Sequence, residues 1–103
     1  MDLNYYQERA IKFALPTATD EYMFLNLASE AGELLSLRAK GIRDGYKFDY
    51  DQNVKKKLGD ILWHVANIAL IHGFTLQEIA QSNLMKLQYR KEAGTIQGSG
   101  DER

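Results

Sequence analysis

Acidic side chains interrupt two apolar helical stretches of this sequence. Glu30 and Glu33 are three residues apart, which places both carboxylates on one side of a helix. Asp60 follows Gly59 inside the apolar run 58–63, where an unpaired acid is costly to bury. Neighbouring carboxylates repel unless a cation lies between them, and hard cations such as Mg²⁺ prefer oxygen ligands. The spacing therefore allows a divalent-cation site, although a solvated helix edge is the commoner explanation for such a glutamate pair alone.

Basic and amide side chains recur at helical spacing nearer the end of the chain. Asn83, Lys86 and Arg90 are three and four residues apart and so line one helix face. Arginine binds phosphate oxygens bidentately and lysine acts as a point charge, so this face suits a triphosphate, while a solvated basic face explains the spacing equally well. Two further candidates have simpler explanations. Lys40 stabilises a helix C-terminus, and His64, one turn beyond the aspartate, is more often a packed core residue.

Four helical segments must position these side chains. Apolar residues at helical spacing predict helices over 3–15, from Thr19 or Asp20 to about 40, and over 51–72 and 75–92. Pro16 forbids continuation of the first helix, and Gly41 and Gly73 are the predicted ends of the second and third. The fourth begins with a capping box, Thr-Leu-Gln-Glu. Residues 41–50 are a predicted loop, and no segment favours a strand.

The length, charge balance and cysteine content of the sequence exclude several classes of protein. At 103 residues the chain has room for one domain, and its 45% apolar content is ordinary for a globular protein. The 13 basic and 14 acidic residues nearly cancel, which gives no electrostatic signature for a nucleic acid polymer or an anionic membrane. The absence of cysteine excludes disulfides and thiolate zinc sites. The sequence lacks a signal peptide and an apolar run of about 20 residues, which predicts a cytoplasmic protein.

Several short motifs along the chain carry a family resemblance. They are YQ at 6–7, ASEAGEL at 28–34, Lys40 with RDGY at 43–46, LGDILW at 58–63, SNLMKLQYRK at 82–91 and GSGDER at 98–103. Together they resemble the MazG-like nucleotide pyrophosphohydrolases, within the all-α nucleoside triphosphate pyrophosphatases. The resemblance covers nearly the whole chain and points to the short, single-domain, often phage-borne members.

The resemblance implies an all-α bundle of about four helices over 1–93 that assembles into a dimer or tetramer. Residues 94–103 contain three glycines and no helical period, which predicts a flexible or substrate-ordered C-terminal tail. The resemblance also implies Mg²⁺, for which Mn²⁺ can substitute, held by Glu30, Glu33 and Asp60. Metal-activated water would attack the α-phosphorus of an NTP or dNTP in the cytoplasm of a bacterial or phage-infected cell, releasing monophosphate and pyrophosphate. The candidate substrate-binding residues are Asn83, Lys86, Arg90, His64 and Lys40. The candidates for a base pocket, each more commonly a core residue, are Tyr6, Gln7, Phe24 and Trp63.

The sequence departs from the family pattern at two positions. Lys57 occupies the position of a fourth carboxylate, where it can pair with Asp60 and weaken a metal position. The alternative function is therefore a nucleotide-binding helical dimer with reduced or lost turnover. The other three carboxylates can still hold Mg²⁺, because this ion commonly keeps several waters. His64 stands where tyrosine is commoner. A purely structural helical module is a third interpretation, which leaves the aspartate and the basic face without a shared explanation.

Overall fold

The computed structural model describes all 103 residues and contains helices but no strand. Helix α1 spans Leu3–Ala10 and continues into a 3₁₀ turn at Ile11–Phe13, and α2 spans Asp20–Asp44. Helix α3 spans Tyr50–Ile71 and α4 spans Leu76–Ala93. The predictions of an all-α fold and of four helices are confirmed. None of these helices combines the length and the apolarity that a membrane span requires.

The two long helices form the centre of the fold. Lys57 on α3 lies beside Glu33 on α2, and His72, just after α3, lies beside Asp20 at the start of α2. Residue numbers fall along one helix as they rise along the other, so the pair is antiparallel. Helix α1 and its 3₁₀ turn pack on α3, while α4 contacts α1 and α3 and does not contact α2. The antiparallel register decides which polar residues of α2 and α3 meet.

The first helix ends earlier than the predicted residue 15. After Ala10 the chain tightens into the 3₁₀ turn, in which the Ala14 amide donates to the Ile11 carbonyl at 3.0 Å. The Ala10 carbonyl accepts a hydrogen bond from Trp63 Nε1 at 2.8 Å instead. A side chain from α3 therefore satisfies a carbonyl group that the end of α1 leaves free. This contact fixes the direction in which the chain leaves α1.

The prediction that Gly41 ends the second helix is wrong. Helix α2 continues to Asp44 and ends at Gly45, whose φ of 90° is a conformation that favours glycine. Gly41 is buried within the helix because the ring of Tyr46 packs directly on its Cα. A Cβ atom at position 41 would overlap that ring. The glycine serves close packing of the α2–α3 loop rather than helix termination.

Replacement of Gly41 by alanine is expected to lower the free energy of unfolding by about 1–3 kcal/mol, because overpacking against Tyr46 outweighs the better helix propensity of alanine. Gly32→Ala is the matched control, since position 32 is an exposed site on the same helix with open space around it. This control should be more stable by about 0.5–1 kcal/mol. Urea denaturation measures both variants. Equal stabilisation of the two would contradict the packing role of Gly41.

The predicted signals around the α3–α4 turn are confirmed. Gly73 has a φ of 79°, and the Phe74 amide donates to the Ala69 carbonyl at 2.8 Å, which closes the end of α3. Thr75 Oγ1 accepts from the Glu78 amide, and Glu78 Oε1 accepts from the Thr75 amide, both at 3.1 Å. This is the reciprocal capping box that the sequence predicts.

The side chain of Gln7 joins three parts of the fold. Its Nε2 donates to the carbonyls of Ala66 and Phe74, and its Oε1 accepts from the Leu76 amide, each at 3.1 Å. The residue is 5% exposed, and its hydrogen-bond partners are buried or partly buried. Gln7 thereby connects α1 to α3 and to the first turn of α4. Gln7, a candidate for the base pocket in the sequence analysis, therefore has a structural role.

The apolar core of the single chain is small. Ala66, Ala69 and Leu76 form its buried cluster, with Tyr6 and Val65 packed against it. Large apolar side chains of the long helix α2 remain more than two-thirds exposed: Leu25, Leu35 and Ile42. Exposed large apolar side chains on one helix are candidates for an interface between subunits.

Candidate active site

The three predicted carboxylates converge on one lysine. Helix α2 contributes Glu30 and Glu33, and the antiparallel helix α3 contributes Asp60 and Lys57. Lys57 Nζ lies 2.7 Å from Glu33 Oε2, 3.5 Å from Asp60 Oδ2 and 3.8 Å from Glu30 Oε2. Residues from two separate predicted helices therefore form one cluster. Lys57, at the position where the family has a fourth carboxylate, contributes a cation to it.

The two glutamates of this cluster have different environments. The Glu30 side chain is 18% exposed, and its Oε2 is buried without a hydrogen bond. Burial raises the pKa of the Glu30 carboxyl, and the adjacent Glu33 carboxyl raises it further. The hydrogen bond from Lys57 lowers the pKa of Glu33, which is half exposed. Of the two glutamates, Glu33 is thus the one that stays ionised more readily, and Glu30 is the one that lacks a hydrogen-bond partner.

The chemistry of the cluster fits a hard divalent cation. Its donors are all carboxylate oxygens, and Glu30 Oε2 is a buried acceptor without a hydrogen-bond partner. As they stand, however, the acidic side chains are not arranged to coordinate a metal ion. They lie around the ammonium group of Lys57. Glu30, Glu33 and Asp60 are the residues that could hold Mg²⁺.

His64 is held inside the bundle beside this cluster. The residue is 3% exposed, and its Nδ1 lies 2.7 Å from the Asp60 carbonyl oxygen. A carbonyl oxygen only accepts, so Nδ1 carries the proton and donates, and Nε2 accepts from Asn26 Nδ2 at 2.8 Å. Both ring nitrogens are thus used within the chain, and a contact with substrate stays a prediction.

Asn26 is a residue of the site that the sequence analysis missed. It links α2 to α3 through His64, directly beside the cluster. Its spacing of four residues before Glu30 places it on the same face of α2, which was the only signal in the sequence. Asparagines within helices are often exposed to solvent, so this spacing alone could not identify Asn26 as a residue of the site.

The predicted triphosphate face of α4 is occupied by the end of the chain. Asp101 Oδ1 lies 3.3 Å from both Lys86 Nζ and Arg90 Nη2, and Arg90 Nη2 also donates to the Asp101 carbonyl at 3.0 Å. Only 8% of the Arg90 side chain is exposed. Asn83 and Lys86 also line an open groove of about 500 Å³, together with Phe74, Glu78, Ile79 and Ser82. Since α4 does not contact α2, the single chain does not bring this face onto Glu30 and Glu33.

Lys40 lies in a separate part of the molecule. It lines a pocket of about 190 Å³ at the α2–α3 loop, to which none of the three carboxylates contributes. The neighbouring Arg38 stacks on the rings of Tyr46 and Tyr50, 5.8 Å from each ring centre, and orders this loop. A contact between Lys40 and substrate stays a prediction.

Comparison with known proteins identifies the family of this chain. Residues 18–95 match the family described as the MazG nucleotide pyrophosphohydrolase domain, a range that contains α2, α3 and α4. Over 85 residues the chain is 40% identical to the Gene 37 protein of Mycobacterium phage L5. The aligned region covers 80% of this chain and 75% of that protein. No solved structure matches the chain. The chain therefore belongs to the MazG nucleotide pyrophosphohydrolase family.

Proposed function

We propose that the protein is a Mg²⁺-dependent pyrophosphohydrolase that converts an NTP or dNTP to the monophosphate and pyrophosphate. The observation that carries this proposal is the convergence of Glu30, Glu33 and Asp60 from two antiparallel helices. Family membership supports the reaction class. The similarity to a phage protein supports action in the cytoplasm of a bacterial or phage-infected cell.

Different residues of the chain bind the metal and the phosphate groups. Mg²⁺ bound by the carboxylates would activate water for attack on the α-phosphorus and offset the charge that develops on the phosphate oxygens. Glu30 or Glu33 accepts the proton of the attacking water. Lys86 and Arg90 hold the triphosphate, and Asn83 orients it through its amide group.

A homodimer or homotetramer completes this site. Within one chain the basic face of α4 is not in contact with α2, which carries two of the carboxylates. The exposed apolar residues of α2, such as Leu25 and Leu35, give a second copy an apolar surface to cover. Light scattering coupled to size-exclusion chromatography measures the oligomeric state, and a monomer at assay concentrations would contradict this part of the proposal.

Product analysis tests the reaction directly. The purified protein is incubated with each common NTP and dNTP in the presence of Mg²⁺, Mn²⁺ or EDTA, and the products are separated by anion exchange. Equal amounts of monophosphate and pyrophosphate, formed only with the metal, are expected. In H₂¹⁸O the label should enter the monophosphate, because water attacks the α-phosphorus. Release of orthophosphate, or label in pyrophosphate, would contradict the proposed bond cleavage.

The position of Lys57 favours a second candidate, a nucleotide-binding protein with weak or no turnover. Its ammonium group lies where a metal-ligand carboxylate is expected and pairs with Glu33 at 2.7 Å. Calorimetric titration with a non-hydrolysable NTP analogue distinguishes the two candidates. Binding of the analogue without any product from the natural nucleotides would favour this second function.

Replacement of Asp101 by asparagine is expected to strengthen pyrophosphate binding by about two- to fivefold. The change removes the charge that pairs with Lys86 and Arg90 and leaves both cations available to phosphate. Glu102→Gln is the matched control, because this neighbouring acid makes no ion pair. Isothermal titration with pyrophosphate measures the effect. Weaker binding by the Asp101 variant would mean that the tail contributes to the anion site instead of competing for it.

A further inference from the structure

The only cation within ion-pair distance of the carboxylate cluster is Lys57. Its Nζ is within 3.8 Å of all three acids, which come from two different helices. Its neighbours Lys55 and Lys56 on α3 form no ion pair. The contact is therefore specific to one lysine in a run of three and is not a general property of a basic helix end.

The ammonium group of Lys57 lies among the three carboxylates in the way that a bound metal cation would. Three carboxylates within a few ångströms of one point repel one another strongly in the absence of a positive charge. An ammonium group carries one charge and three donor hydrogens, so a single lysine can face three acceptors. The shortest contact, 2.7 Å to Glu33, is a charge-assisted hydrogen bond, and the longer ones to Asp60 and Glu30 are ion pairs.

We infer that Lys57 Nζ is a built-in counter-cation that takes the place of a divalent ion among Glu30, Glu33 and Asp60. A divalent ion binds these carboxylates only by displacing the ammonium group. The Lys57 side chain is 30% exposed, and its flexible four-carbon stem allows the head group to turn into solvent. The relevance to turnover rests on the proposed function, whereas the role as a counter-cation can be measured without a nucleotide.

Two substitutions separate charge from size at this position. Lys57→Met keeps an unbranched stem of similar length and removes the charge, while Lys57→Arg keeps the charge. Without metal, in EDTA, the methionine variant should have a lower Tm than the wild type, because its three carboxylates are left without a counter-ion. Mn²⁺ or Mg²⁺ should raise the Tm of the methionine variant much more than that of the wild type or the arginine variant.

Metal affinity gives the second measurement. Titration of the nucleotide-free protein with Mn²⁺, followed by electron paramagnetic resonance of the free ion, should show tighter binding by Lys57→Met. We expect an increase on the order of 10–100-fold over the wild type. Lys56→Met is the matched control, an exposed lysine one position away that makes no ion pair, and it should leave both Tm and Mn²⁺ affinity unchanged.

The outcomes decide the inference independently of catalysis. Equal Mn²⁺ affinity for the wild type and Lys57→Met, or equal Tm values in EDTA, would overturn it. Failure of Lys57→Met to fold even with saturating Mn²⁺ would also overturn it, because the divalent ion should replace the ammonium group. A third outcome is that Tm and Mn²⁺ affinity change as expected but neither the wild type nor any variant hydrolyses a nucleotide. This outcome would support the role of Lys57 as a counter-cation and contradict the proposed hydrolysis.

Discussion

Replacement of Asp60 by asparagine is expected to reduce nucleotide turnover by about 100-fold or more, with the fold intact. The change removes one of the three carboxylates that we propose to hold the metal, and metal-dependent water activation depends on these ligands. Asparagine has nearly the same volume, and the Asp60 side chain is 51% exposed, so packing is little affected. The measurement is kcat at saturating Mg²⁺ and substrate, with circular dichroism of each protein to establish folding.

The control for this variant is Asp51→Asn. Asp51 is an exposed acid on the same helix and forms no ion pair, so its removal should leave kcat within about twofold of the wild type. Wild-type turnover by the Asp60 variant would remove the cluster from the proposed mechanism. A comparable loss in both variants would point to an unspecific effect of charge on α3.

Replacement of Gln7 by alanine is expected to lower the free energy of unfolding by about 2–4 kcal/mol. The variant leaves the carbonyls of Ala66 and Phe74 and the amide of Leu76 without their present hydrogen-bond partner. These groups are buried or partly buried at the junction of α1, α3 and α4, where water compensates poorly. Urea denaturation at fixed protein concentration measures the loss.

Two variants show whether the hydrogen bonds, rather than volume, cause this loss. Gln7→Glu keeps the shape and the acceptor for Leu76 but cannot donate to the two carbonyls when ionised, so it should also be destabilised. Gln81→Ala removes an exposed glutamine of α4 and should change stability by less than about 0.5 kcal/mol. A Gln7→Glu variant as stable as the wild type would contradict the role of the two donated hydrogen bonds.

Side-chain identity alone did not reveal the role of Gln7. Its place in a family motif made Gln7 a candidate for a base pocket. Its partners lie 59 to 69 residues away along the chain, in α3, in the α3–α4 turn and at the start of α4. No local pattern predicts hydrogen bonds over such separations, because they exist only after α1 has packed on α3.

Features with a local physical cause could be predicted from the sequence. The capping box at Thr75 and the stop at Gly73 depend on backbone groups within one helical turn, and both are as predicted. Apolar periodicity likewise predicted four helices and an all-α fold. The pairing of Glu30 with Glu33 is also local, since their spacing on one helix fixes their shared face.

Features that depend on how helices meet could not be predicted from local sequence patterns. The sequence could place Lys57 three residues before Asp60, but the antiparallel register of α2 and α3 brings it to Glu33 as well. The same register buries His64 against Asn26. At Gly41 the usual stop signal failed because the ring of Tyr46, from the loop that follows the helix, packs on this glycine inside the helix. Local propensities set the helices, whereas contacts between residues far apart in the chain set the charge and geometry of the site.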